Sequence, residues 1–190
     1  LETGNPNQPN FQDRWHRKLL DARRGLDAQL DQIDRLLDEG RLDEAIAVAH
    51  QTQSQWPDDV NVLHRRSECY RRRGDLTRWL LDLKQAQRLE PENAITHLNL
   101  SMAYQEQDNV SQAMSHARSA VRYNRTIPEA HLQLARLLIT ENKIPEAATT
   151  LDEAFRLGIR DPRERLRYAH VLLRAGRLAE AENQAVQVTL

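Results

Sequence analysis

A period of 34 residues runs through this chain and limits what it can fold into more than any other feature. Gly40, Gly74, Asp108, Asn142 and Gly176 stand 34 residues apart, and two positions on, the same step gives Leu42, Leu76, Val110, Ile144 and Leu178. Five positions on it gives Ala45, Trp79, Ala113, Ala147 and Ala181. Upstream lie Leu36, Tyr70, Tyr104, Leu138 and Leu172, and a row of mostly small residues, Ile33, Ser67, Ser101, Ala135 and Ala169. Thr52, Ala86, Ala120, Ala154 and Val188 make one more row. A fixed period of this length marks an array of one supersecondary unit, each copy burying its apolar face on its neighbours.

Each row has a physical reading. Glycine, aspartate and asparagine tolerate positive φ, which a chain needs to leave one helix and enter the next at once, so the first row is read as inter-helix turns. Alanine and serine rows fall where helix axes approach to the short end of the usual range, and the leucine and tyrosine rows fill the space around them. Between turns the apolar residues keep helical spacing, as in Leu134, Leu137 and Leu138, and no stretch alternates like a strand. The chain reads as all-α. Pro57 and Pro91 close the first two units, and Pro128 and Pro162 fall just inside the next helices, where a missing N–H is tolerated, with Asp161 as the N-cap before Pro162.

The pattern resembles the tetratricopeptide repeat family, whose 34-residue helix-turn-helix carries a W-x2-L-G-x2-Y, A-x3-F, A and P signature. Residues 60–93 match best, with Leu63 at the Trp position, Ser67 for Gly, Tyr70, Leu83 for Phe, Ala86 and Pro91. The next unit matches with Leu100, Ser101, Tyr104, Ala113 and Ala120, and has Arg125 at the proline position; Trp79 puts a large ring where the family has a small residue. The resemblance implies a right-handed superhelical solenoid of antiparallel helix pairs, with repeats near 26–59, 60–93, 94–127, 128–161 and 162–190. Residues 1–10, rich in Asn, Gln and Pro, read as a flexible leader, and 11–25 as a helical extension of the first repeat.

Both ends of the array carry apolar residues that want a cover. Phe11, Trp15, Leu19, Ala22, Leu26, Leu30, Ile33 and Leu37 form a heptad-like stripe, which reads either as a cap on the stack or as a dimerising coiled coil, with Gly25 as a candidate bend. At the other end Leu178, Ala181, Ala185, Val188 and Leu190 are followed by no polar capping helix, so a longer parent chain, a homodimer or another molecule is expected to cover them.

Little points to chemistry. The chain has one cysteine, six glycines and seven histidines, with no H-E-x-x-H, phosphate loop or nucleophile elbow. His97 and His131 occupy equivalent places in adjacent repeats, which puts them about 8–10 Å apart, too far to share zinc at about 2 Å. They read as packing histidines, and Cys69, near His64, as a small buried hydrophobe. No catalysis, cofactor or metal is expected. The longest apolar run, Ala45 to Ala49, is far short of a membrane span. The sequence leaves the compartment open.

The resemblance directs attention to the inner wall, lined in this family by the first helix of each repeat. Counting along those helices gives Asn61, His64, Arg65, Glu68, Arg71 and Arg72; then Leu98, Asn99, Met102 and Gln105; then Leu132, Gln133, Arg136 and Ile139; then Arg163, Leu166, Arg167, His170 and Arg174. From these, Arg65, Arg71, Arg72, Leu98, Asn99, Met102, Leu132, Arg136, Ile139, Arg167 and Arg174 are the candidate partner-binding residues. Exposed Leu98, Met102, Leu132 and Ile139 would anchor apolar side chains, Asn99 would hold a peptide backbone, and the arginines would grip carboxylates. An acidic, partly apolar protein segment is the expected partner. Asn99 stands where family members have a peptide-binding asparagine, but His64 and Glu68 occupy two places of the chaperone-tail carboxylate clamp, so a chaperone C-terminus is not expected. Two alternatives stand beside this scaffold. One is a docking domain of a larger enzyme, such as a glycosyltransferase, or of a polysaccharide-export or secretion assembly. The other is an RNA-binding repeat using Arg65, Arg66, Arg71, Arg72 and Arg73, against which stand a net charge of -1 and the lack of an aromatic row.

Overall fold

The computed structural model describes residues 11–187, with side chains from Trp15 onward; the leader at 1–10, the row member Val188 and the apolar Leu190 lie outside the described residues. Among these there are ten helices and no strand: α1 (Phe11–Asp38), α2 (Leu42–Gln55), α3 (Val60–Arg73), α4 (Leu76–Leu89), α5 (Ala94–Glu106), α6 (Val110–Tyr123), α7 (Pro128–Thr140), α8 (Ile144–Arg156), α9 (Pro162–Arg174) and α10 (Leu178–Val186). None is long and apolar enough to cross a membrane.

The turn row behaves as its chemistry requires. Gly40, Gly74 and Gly176 have φ of 72°, 77° and 77°, and Asp108 and Asn142 adopt 55° and 58° without being glycine. Each is followed by a residue whose N–H reaches back five positions to the carbonyl of the Leu/Tyr row: Arg41 to Leu36, Asp75 to Tyr70, Asn109 to Tyr104, Lys143 to Leu138 and Arg177 to Leu172, all at 2.8–2.9 Å. This is the Schellman closure, which satisfies a helix-end carbonyl and reverses the chain in two residues. Row members therefore do two things at once: the side chain fills the core and the carbonyl ends the helix. Helix starts follow their own row. Asp59, Asn93 and Asp161 accept backbone N–H groups at the heads of α3, α5 and α9, and at the equivalent place before α7, Ile127 is followed by Pro128, which has no N–H to satisfy.

The chain falls into two units, residues 1–82 and 83–190. In the first, Leu26, Leu30, Ile33, Leu36 and Leu37 of α1 bury against Ala45, Ile46 and Ala49 of α2 and Val62 and Cys69 of α3. The stripe on α1 is thus split. From Leu26 on it is core, and from Trp15 to Gly25 every residue is exposed, with the helix running through Gly25 uninterrupted. In the second unit α5/α6, α7/α8 and α9/α10 pack as pairs, and α6 against α7 and α8 against α9 join the pairs. Its core layers Ala113, Ala117, Ala147 and Ala148 against Leu134, Leu137, Leu138, Leu151 and Leu172. Small residues on one helix admit leucines from the next. Trp79, the exception in the alanine row, is buried like its equivalents.

Candidate functional site

In the first unit the arginine-rich helix α3 carries its own counter-ions. Arg65 bonds Asp34 at 3.0 Å. Arg71 makes two 2.6 Å bonds to Glu68, which also receives Arg72 at 2.8 Å, while a second nitrogen of Arg72 donates to the Leu37 carbonyl at 2.6 Å. Burial pushes the Glu68 carboxyl up, but the bonds from Arg71 and Arg72 outweigh it and hold it below the ordinary carboxylate value. Arg66 pairs with buried Asp82 and Arg73 lies 3.4 Å from Asp43. The five arginines bunched in α3 each meet an acid of their own unit, which is not the display of unpaired cations that tracks a phosphate backbone.

The second unit is different. Its first helices, α5, α7 and α9, carry Asn99 and Met102, Arg136 and Ile139, and Arg167 and Arg174, all partly or fully exposed. Gln133 is buried and donates to Gln105 Oε1 at 2.7 Å and Ser101 Oγ at 3.3 Å, which ties α7 to α5. Arg136 Nη2 and Arg167 Nη1 both donate at 2.7 Å to one oxygen of Glu164, itself only 6% exposed. Arg136 Nε is buried with no hydrogen-bond partner. Arg174 donates to the neutral amide oxygen of Asn142 at 2.7 Å. Two guanidinium groups thus share one carboxylate, and a third rests on a neutral partner.

Two expected anchors are not on the surface. Leu98 packs between Ala120 of α6 and Ala130 of α7, and Leu132 joins the main core cluster of the unit. Both sit where a first helix meets its neighbours on two sides, and the alanines there let the helices close over them. Met102 and Ile139 are half-buried and remain accessible on these helices, and Ile95 on α5 and Leu166 and Leu173 on α9 are exposed. His64 is likewise buried.

The equivalent histidines act as latches. His97 Nε2 bonds the Pro91 carbonyl and His131 Nε2 the Arg125 carbonyl, each at 2.9 Å and six residues back, so both fasten a helix to the loop before it. A carbonyl only accepts, so His97 carries its proton on Nε2. Its Nδ1 therefore accepts from Nδ1–H of His116, 2.9 Å away, a partnership between α5 and α6 that spacing did not announce. Burial, and then the neighbouring His97, push His116 down to about 4. Its folded value lies below the ordinary 6.5, so the unfolded chain binds more protons between those limits. The contribution is complete above about pH 6.5 and falls away toward pH 4, by about 2 kcal/mol at pH 4.5. Urea unfolding at pH 7 and 4.5 checks this: His116→Gln should shrink the difference by that amount, and an unchanged difference would refute the assignment.

Cys69 is buried and burial pushes its thiol up to about 12, which leaves it protonated and unreactive at neutral pH. Among the described residues no three of His, Cys, Asp and Glu are grouped to hold a metal ion.

A tetratricopeptide repeat model matches residues 30–78 and 132–190. No curated protein matches the sequence. Among solved structures, a thermophilic repeat protein of Thermus thermophilus is 23% identical at a TM-score of 0.69, over 86% of this chain and 89% of that one. MamA, from residue 41 to its end, of Desulfovibrio magneticus RS-1 is 13% identical at 0.69, over 86% and 93%. YrrB, a repeat protein with an unusual peptide-binding site, is 14% identical at 0.62, over 84% and 82%. At these identities the likeness is one of fold.

Proposed function

Because the chain belongs to the tetratricopeptide repeat family, whose model spans more than half of it, we propose that it is a non-catalytic scaffold that takes an acidic, partly apolar segment of a partner protein on α5, α7 and α9. Proteins of this family bind protein or peptide partners and are generally not catalysts. The array is read as repeats over residues 26–190, with 11–25 an extension of the first. The observation that carries the acidic partner is the charge count at Glu164. One carboxylate oxygen serves both Arg136 and Arg167, and Arg174 rests on an amide, so three guanidinium groups of this wall meet one acid, whereas on α3 Arg65 meets Asp34, Arg71 and Arg72 share Glu68, and Arg72 also lies 4.0 Å from Asp38. A guanidinium that shares its acid has N–H donors left for a second carboxylate. Met102 and Ile139 supply apolar contact, and the Asn99 amide offers both a donor and an acceptor to a peptide backbone.

The test uses an extended peptide containing Asp, Glu and Leu, interrupted by proline so that it cannot coil. It should bind the parent protein, weaken as salt rises, and lose about tenfold or more in affinity with Arg136→Glu plus Asn99→Ala. Equal binding by the double variant would reject the wall as the site.

A further inference from the structure

The N-terminal half of α1 extends past the elements that hold its other half. Gln29 Nε2 donates to Oε1 of Gln55, the last residue of α2, at 3.2 Å. Residues 15–25 therefore run on beyond the end of α2, about 15 Å of helix at 1.5 Å per residue. Trp15, Leu19 and Ala22 fall on the same helical sector as Leu26 and Ile33, which are buried in the core. One apolar face is thus covered along half of the helix and open along the other: Trp15 is 50% exposed and Leu19 66%.

The charges around that face select what fits it. Between residues 15 and 25 stand Arg17, Lys18, Arg23 and Arg24 against Asp21 alone. Lys18 and Arg23 flank the apolar sector on its two sides, and the Lys18 ammonium lies 5.4 Å from the centre of the Trp15 ring. Arg23 and Arg24 meet loose, exposed partners, Asp27 at 3.4 Å and Asp21 at 3.7 Å. A second copy of the same helix would set these bases against one another. A flat lipid surface meets an obstacle, since the continuation of the face is occupied by α2 and α3. An elongated acidic body meets neither objection.

We propose that residues 15–25 of α1 dock an acidic amphipathic helix of a partner protein, lying in line with α2, with its apolar side chains on Trp15 and Leu19 and its carboxylates toward Lys18 and Arg23. These residues belong to the first unit, and their role does not depend on the wall formed by α5, α7 and α9. The partner mode is a helix laid on an apolar stripe and read at intervals of three and four residues.

The experiment is calorimetric titration of the whole chain with a short designed helical peptide bearing a leucine stripe flanked by glutamates, and with the same peptide carrying lysines instead. The acidic peptide should bind and the lysine peptide should not. Leu19→Asp should weaken binding about tenfold or more, Leu19→Met should preserve it, and Arg136→Glu plus Asn99→Ala should leave it unchanged. Because Leu19 is exposed, the circular dichroism of its variants should match the parent. The proposal is overturned if the acidic peptide does not bind, or binds Leu19→Asp as well as the parent. It is also overturned if the parent sediments as a dimer that Leu19→Asp dissolves, or if it pellets with phosphatidylglycerol vesicles in a way that Leu19→Asp abolishes, since a second copy or a lipid surface would then be the occupant.

Discussion

Replacing Asp82 with alanine is expected to lower the free energy of unfolding by about 3–5 kcal/mol, the range for leaving one member of a buried ion pair alone. Asp82 is 1% exposed and accepts Arg66 Nε at 2.8 Å and Nη2 at 2.6 Å. Burial disfavours the charge on Arg66, and the bonds to Asp82 outweigh it and raise the guanidinium above its ordinary value; with the carboxylate gone the arginine still stays charged, because a guanidinium keeps its proton at neutral pH. The cost of the variant is that stranded cation rather than the net worth of the pair. An apolar double replacement, Arg66→Met with Asp82→Leu, should therefore recover most of the loss. Urea denaturation of the parent, the single and the double variant checks this, and a loss below about 1 kcal/mol for Asp82→Ala would contradict it.

Leu138→Ala is expected to cost about 3 kcal/mol. Leu138 is fully buried in the second unit, in a cluster that includes Ala135, Ile144, Ala147, Leu151 and Leu172. The alanine neighbours carry a methyl with no rotamer that could swing into the space, so much of the cavity stays open. The carbonyl of residue 138 still closes the turn to Lys143, because that bond uses backbone alone, and the loss reports packing without disturbing the helix end. Leu166, 52% exposed on α9, is the control, and Leu166→Ala should change stability by about 0.5 kcal/mol or less. Similar values for the two would mean that the 34-residue row does not mark the core.

Much of this was readable in the sequence because it depends on local chemistry repeated in phase. Asp108 and Asn142 stand in a glycine row, and the backbone there is left-handed. Asp161 precedes Pro162, and its carboxylate caps α9. Leu98 and Leu132 are buried although spacing puts them on the inner face, because spacing along one helix tells which residues share a face and not how far a neighbouring helix covers it. The partners of the arginines were hidden for a related reason. Glu68 lies three and four residues from Arg71 and Arg72, a spacing that a helix brings together, but Glu164 is 28 residues from Arg136 and meets it only through the register between α7 and α9. A count of acids as well as bases on the first helices would have found Glu164. The pairing of His97 with His116, across α5 and α6, left no periodic trace.

Reception of an acidic segment by the α5, α7 and α9 wall is tested most directly by backbone amide NMR during titration with the proline-interrupted acidic peptide. Shifts should concentrate on Asn99 to Gln105, Gln133 to Ile139 and Glu164 to Arg174, with little change in α8 or α1. Shifts confined to the second helices of the pairs, or to α3, would contradict that placement.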